Sequence, residues 1–245
     1  MQDSSHYNAG VVAIYDRLAA PLQFAAPARD LVTGLGLSPG WRVLDIGTGT
    51  GAALIRAAAC VGASGVAVGV DASMEMLRAL RHKGAHPVVL AQASSLPFPD
   101  DCFDAVLAGF VLSHFKDYGQ TLADMVRVLR PKGRVAATTW GATPNPVAHA
   151  WKTVAAGFVE AEELQAAFRQ VIPWDQWFSR PTNLRRAMEE AELVGVEGTF
   201  LCRRLTAEQL DTFRQRLADV FQSEFGETVE YIRDVYVGMG TKPAA

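Results

Sequence analysis

The stretch Val43-Leu44-Asp45-Ile46-Gly47-Thr48-Gly49-Thr50-Gly51 decides how the rest of the chain reads. A short apolar run follows the turn Ser38-Pro39-Gly40 and ends in glycines at alternate positions. The run, residues 42–46, predicts a buried strand; residues 47–51 predict a loop, and the alanine-rich stretch 52–60 a helix. A strand that feeds a glycine loop and then a helix presents free backbone N–H groups. The missing side chains let a ligand approach that backbone closely.

Outward from this loop, the chain alternates short apolar runs with amphipathic segments, the pattern of βαβ units and a parallel sheet. A second strand is expected over 65–70, ending in Asp71. Ser73 is placed to cap the helix after it, with Glu75 in the first turn and Gly84 beyond the end. Strands are expected over 87–91 and 103–110. Asp117 is placed to open a helix carrying Leu122, Met125, Val126 and Leu129, with Pro131-Lys132-Gly133 as its stop and a fifth strand over 135–140. The rhythm then breaks. Residues 141–181 hold Trp151, Trp174 and Trp177, with a helix expected near 147–159. The segment is too long for an ordinary connection in a compact α/β unit. It reads as a cap or lid, residues 141–182, inserted in a single domain spanning 1–245. Beyond it a helix is expected over 183–191 and a strand over 194–202. The capping box Thr206-Ala207-Glu208-Gln209 opens a helix with Leu210, Phe213, Leu217 and Val220 on one face, and a last strand follows over 235–239.

Composition bounds the function. The 245 residues are 49% hydrophobic and 20% charged, ordinary globular usage. No apolar run approaches the ~18 residues of a membrane span, and the polar stretch 1–10 has no apolar core of a secretory signal. Net charge is −3, which argues against a strongly basic nucleic-acid footprint. Arg185, Arg186, Arg203 and Arg204 are interleaved with Glu189, Glu190 and Glu192 and read as solvated faces. The three cysteines, Cys60, Cys102 and Cys202, are widely spaced, with no CxxC pair, so neither a disulfide framework nor a zinc site is expected. Reduced thiols in a cytoplasm are the default expectation. No metal cluster, nucleic-acid partner or membrane partner is expected; the oligomeric state is open.

The glycine spacing separates two ligand classes. The dinucleotide fingerprint is G-x-G-x-x-G, whereas Gly47, Gly49 and Gly51 give G-x-G-x-G. Asp45 beside the loop is poor for a pyrophosphate and suits a ligand carrying a sulfonium and an ammonium. The stretch resembles motif I of class I S-adenosylmethionine (SAM)-dependent methyltransferases. Asp71-Ala72-Ser73-Met74-Glu75-Met76-Leu77, Leu96-Pro97-Phe98 with Phe103-Asp104, and Arg127 to Gly133 resemble later segments of that family, in the same order. The set is similar to the small-molecule branch that includes the ubiquinone/menaquinone methyltransferases, well over 30–140 and loosely over 183–241.

The resemblance implies a Rossmann-like, doubly wound sheet of seven strands, the last antiparallel, with the helical insert after strand five. It implies an enzyme that transfers a methyl group from SAM to a small, apolar or aromatic acceptor through O, N or C. A non-catalytic SAM-binding or sensor protein and an NAD(P)-dependent oxidoreductase are the alternatives. Gly47, Thr48, Gly49 and Gly51 would form the cofactor loop. Asp45 would face the methionine end of SAM or organise the loop by accepting backbone N–H bonds. Asp71, with Ala72 after it, would hold the ribose hydroxyls or merely cap a helix. Met76 would pack on the adenine or in the core. Gln92 stands where many members carry an acid facing the adenine amino group, and Ala93 would offer its N–H to the ring. Gly109 would let its backbone reach the SAM amino group. His114, after the fourth strand, would serve as a general base or as a structural cap. Trp140, Trp151, Trp174 and Trp177 would line the acceptor pocket or pack the cap.

Gln92→Asp restores the charged acceptor of the resemblance, so binding of SAM, read by calorimetry, is expected to hold or tighten. Collapse of binding would remove Gln92 from the adenine.

Overall fold

The computed structural model describes residues 8–142, 159–204 and 232–244. Among them a seven-stranded sheet carries strands β1 (Arg42–Ile46), β2 (Val66–Asp71), β3 (Val88–Leu90), β4 (Phe103–Gly109), β5 (Leu129–Trp140), β6 (Val194–Arg204) and β7 (Ile232–Thr241). Their order is β3-β2-β1-β4-β5-β7-β6. The first five strands pair in parallel, and β7 runs antiparallel to both β5 and β6. The doubly wound fold expected from the sequence is therefore present, with its one antiparallel strand last. The order reverses at β1, which leaves a crevice beyond the carboxyl ends of β1 and β4, the place where open α/β sheets bind ligands.

Two apolar layers flank the sheet. One holds Leu31, Leu35, Leu54, Val61 and Leu80 from helices α2 (Ala25–Leu35), α3 (Leu54–Val61) and α4 (Met74–Arg81). The other holds Leu122, Met125, Phe178, Leu184 and Met188. These come from α5 (Tyr118–Val128), α7 (Asp175–Phe178) and α8 (Pro181–Glu190). Ser73 caps α4 by accepting the Met76 N–H, and Asp117 caps α5 by accepting the Gln120 N–H, as the sequence predicts.

Several boundaries differ; β7, for one, runs over Ile232–Thr241 where 235–239 is expected. Helix α3 begins at Leu54, two residues beyond the expected start, because the glycine loop runs on through turns to Ala53. Helix α5 ends at Val128 and the chain is already extended at Leu129, before Pro131. Proline disfavours helical geometry at the residue before it. The expected stop at Pro131-Lys132-Gly133 lies inside β5, with Lys132 at φ 65° and an irregular register opposite Phe103 and Ala105. The N-terminal part, for which the sequence carries no motif, is helical from α1 (Ala9–Ile14) through a π-helical stretch, Tyr15–Phe24, into α2. The wider turn falls around Pro21, which has no N–H to give and whose ring crowds the carbonyl four residues back. The helix expected near 147–159 and the capping-box helix from Thr206 lie outside the described residues. Helix α6 (Ala161–Val171) and α7 form the described end of the expected insert.

Gly69 of β2 packs under the glycine loop: a Cβ there would stand 2.8 Å from Thr48 Cγ2 and 2.9 Å from Leu54 Cδ2. Gly69→Ala is expected to lower stability by about 1–3 kcal/mol, read as a fall in Tm, because the buried Thr48 and Leu54 side chains must shift. An unchanged Tm would mean the loop yields freely.

Candidate functional site

The carboxyl edge of the sheet gathers Asp45 from β1, Asp71 from β2, Gln92 and Ala93 after β3, Gly109 and His114 at and after β4, and Trp140 at the end of β5. The glycine loop is fixed from below. Thr48 N–H donates to Val70 O at 3.0 Å, and Thr48 Oγ1 donates to Asp45 Oδ2 at 2.7 Å. Gly49 N–H donates to Asp71 Oδ2 at 2.8 Å, and Ser73 N–H to Asp71 Oδ1 at 2.8 Å. Gly47 is needed at φ 64°, and a Cβ there would lie 2.4 Å from Val111 Cγ2. Gly49, at φ 53°, has open space above it: no atom comes closer than 3.9 Å to its Cβ position. A ligand can therefore reach that backbone.

Asp45 is buried and Asp71 half-buried, each at a cost. Burial pushes Asp45 up to about 7, the nearby Asp71 charge adds to the rise, and bonds from Thr48 and the Leu54 N–H oppose it. Burial also raises Asp71, against the N–H groups of Ser73, Gly49 and Ala72. Asp45 thus organises the loop, through Thr48 Oγ1 and the Leu54 N–H. Asp71 Oδ2 takes the Gly49 N–H and Oδ1 the Ser73 N–H, with the Ala72 N–H also turned to the carboxylate, whose two oxygens have about four lone-pair sites in all. Met76 is a buried residue of α4; Ala93 is also buried, and Gln92 is half-buried.

A second cluster stands on the α2 side of the sheet. Phe110, just past β4, is held at φ 57°, its N–H shared between Thr138 O at 3.0 Å and Thr138 Oγ1 at 3.1 Å. Its ring stacks on Trp140 with centroids 4.0 Å apart; Phe24 meets Phe110 at 5.3 Å and Trp140 at 5.6 Å, and Tyr15 meets Phe24 at 5.4 Å. The Tyr15 hydroxyl is the atom 3.9 Å from the Gly49 Cβ position, so this aromatic row reaches from the end of β5 to the glycine loop. Lys83 ties the π-helical stretch down: it bonds Asp16 and, at 2.8 Å, Thr50 O. Strained non-glycine residues are found more often at functional sites than elsewhere. Sequence reading did not find Tyr15, Phe24 or Phe110, since no spacing rule links an N-terminal helix to a strand end. The positive φ of a phenylalanine leaves no mark in the sequence.

The structure does not bring the four tryptophans together. Trp174 and Trp177 lie on the other face of the sheet. Tyr118 stacks on Trp177 at 5.0 Å and meets Trp174 edge-on at 4.8 Å, and Trp177 meets the buried Phe178 at 4.8 Å. Their rings pack on one another and on the core, and both remain half-buried. Trp174 is also anchored to the turn carrying His114, its N–H donating to Ser113 O at 3.2 Å and its Nε1 to Lys116 O at 3.3 Å. Trp151 lies outside the described residues. Among the described residues no cluster of metal-ligating side chains forms, and no helix is long and apolar enough to cross a membrane.

The family described as "Methyltransferase domain" matches residues 44–137, from β1 through most of β5. Demethylmenaquinone methyltransferase of Anoxybacillus flavithermus is 36% identical over 130 residues, 49% of this chain and 55% of that protein. The protein of the same name from Listeria welshimeri is 34% identical over 168 residues, 65% of this chain and 66% of its own length. The chain thus spans between about half and two thirds of the curated relatives it matches. In fold it resembles Haemonchus contortus phosphoethanolamine N-methyltransferase 2, solved with S-adenosyl-L-methionine (TM-score 0.67, 18% identity, 98% of this chain and 59% of that one). It also resembles a possible histamine N-methyltransferase from Thermotoga maritima (TM-score 0.61, 19% identity, 97% and 99%).

The raised Asp45 makes a stability prediction. Its folded pKa lies above the unfolded value near 3.8, so the native state holds the proton more firmly. The advantage is complete below about pH 4 and is lost as pH rises through about 7. Asp45→Asn removes this loss. Its Tm relative to wild type is expected to be about 5 °C higher at pH 8 than at pH 5, on the order of 2 kcal/mol. Equal differences at both pH values would mean Asp45 is not held protonated.

Proposed function

We propose that this chain, whose domain belongs to the class I SAM-dependent methyltransferases, transfers a methyl group to a small molecule whose acceptor is an aromatic, quinone-type ring. The observation that carries this reading is the aromatic row Tyr15, Phe24, Phe110 and Trp140 standing beside the glycine loop. The relatives' name, demethylmenaquinone methyltransferase, points to the same chemistry. The oxidoreductase alternative falls away with the family. That Asp45 lies beneath the loop, where a pyrophosphate would meet it, agrees.

The residues fit SAM. Gly47, Thr48, Gly49 and Gly51 form the cradle, and Asp71 offers two acceptor oxygens to a ribose, with Ala72 following. Gln92 and Ala93 border the adenine end, with Met76 behind them in the core. Asp45 and the Gly109 backbone are placed toward the methionine end. When bound, SAM supplies a methyl group made electrophilic by its sulfonium. What the chain supplies is positioning and dryness. Aromatic rings exclude water and hold a planar acceptor, and a reacting pair held in place gains much of its rate from that alone. His114, in the turn after β4, is the candidate base for the acceptor's proton. The segment 141–182 is proposed as a cap on the acceptor side. The bonds from Trp174 to Ser113 and Lys116 support this, because they dock the end of that segment against the His114 turn.

Asp71→Ala removes two charge-assisted bonds of ~1.5–3 kcal/mol each. Calorimetric affinity for SAM is expected to fall at least ~100-fold. A loss under about threefold would put the ribose elsewhere.

His114→Ala is expected to lower kcat by ~10²–10⁴, with SAM affinity nearly constant, in transfer of labelled methyl to a reduced naphthoquinone. An unchanged kcat would leave His114 a structural role. Transfer to phosphoethanolamine instead of the quinol would overturn the proposed acceptor.

A further inference from the structure

The connection from β3 to β4 carries Gln92 and Ala93 at its start and must cross from the carboxyl edge of the sheet to the amino edge. Two neighbouring side chains of α5, Arg127 and Asp124, grip its middle. Arg127, in the last turn of α5, donates Nε to Asp124 Oδ1 at 2.6 Å and NH1 to Phe98 O at 2.8 Å. NH1 also reaches Asp100 Oδ1 at 2.8 Å, and NH2 donates to Leu96 O at 3.1 Å. The buried Asp124 uses its other oxygen to accept the Leu96 N–H. Leu96 is therefore gripped at both peptide groups, its N–H by a carboxylate and its carbonyl by a guanidinium. The turn just before it is closed by Ser95 N–H on Gln92 O at 3.1 Å. Beyond it, the Phe98 ring packs edge-on against Phe103 at 5.0 Å.

The geometry points to Arg127, together with Asp124, as the residue that positions the adenine-recognising turn, and so as a determinant of nucleobase specificity. The inference rests on the SAM reading above. A guanidinium is suited to the task because its flat fork presents donors in two directions at once; here it links two loop carbonyls to two carboxylates. A lysine ammonium in its place is a point charge on a flexible stem and cannot span all four acceptors. The turn would then lose the fixed placement on which a neutral acceptor such as Gln92 depends, since a neutral bond is weak and directional.

Calorimetry with S-adenosylhomocysteine and with S-inosylhomocysteine, in which the amino group recognised by the turn is replaced by a carbonyl, tests this. Wild type is expected to prefer the adenosyl compound, and Arg127→Lys to lose ~10-fold in its affinity while binding the inosyl compound almost unchanged, so that the preference collapses. Asp100→Ala removes only the exposed arm of the fork and is expected to lower the preference by no more than about threefold in a chain that remains folded. Arg134→Gln serves as a control for plain loss of stability. It cuts the 2.9 Å bond to Leu35 O, remote from the turn, and should lower Tm with the preference intact. If wild type binds neither compound, the SAM reading fails and this inference with it. If wild type discriminates and Arg127→Lys discriminates equally well, this inference alone is overturned. Equal loss of both compounds in Arg127→Lys and Arg134→Gln would likewise overturn it.

Discussion

The carboxylate of Asp71 is the joint on which the site depends. One oxygen takes the Gly49 N–H from the glycine loop, and the other takes the Ser73 N–H at the start of α4. A single side chain at the end of β2 therefore fixes the loop after β1 and the helix after β2 with respect to one another. Thr48 doubles the tie through Val70 O and Asp45, and Gly69 has no side chain so that Thr48 can sit there. Withdrawal from water is the main reason that both carboxyl groups titrate upward, with the Asp71 charge a small addition at Asp45. Such a site is relieved by a cation. A sulfonium and an ammonium brought to this edge would offset what burial costs.

The second constraint is at the end of β4. Phe110 adopts a left-handed conformation that a phenylalanine ordinarily avoids, and Thr138 secures its N–H twice. The reward is a ring stacked on Trp140 with Phe24 closing the group, on the same edge as the cofactor loop. The Lys83 bonds to Asp16 and Thr50 O hold the π-helical stretch against that loop. On the opposite face Tyr118, Trp174, Trp177 and Phe178 form a packing cluster that steadies the turn of His114.

What could be read from the sequence follows from how local the physics is. The strand over 42–46, the caps Ser73 and Asp117, and the glycine loop are set by neighbours a few residues away, and the structure has them where expected. The end of α5 was misplaced because the turn residues Pro131 to Gly133 form a bulge inside a strand, which only pairing with β4 can settle. Tyr15, Phe24 and Phe110 escaped because they meet through tertiary packing. For the tryptophans the sequence leaves pocket lining and packing of the cap open, because it does not show that Trp140 and Trp174 belong to opposite faces of the sheet.

The most direct test of the account is amide hydrogen exchange read residue by residue with and without S-adenosylhomocysteine. Binding in the proposed cradle predicts slowed exchange over residues 47–52, 71–76 and 92–96, with no such protection from NAD. Protection confined to other segments, or given by NAD over the same residues, would contradict it.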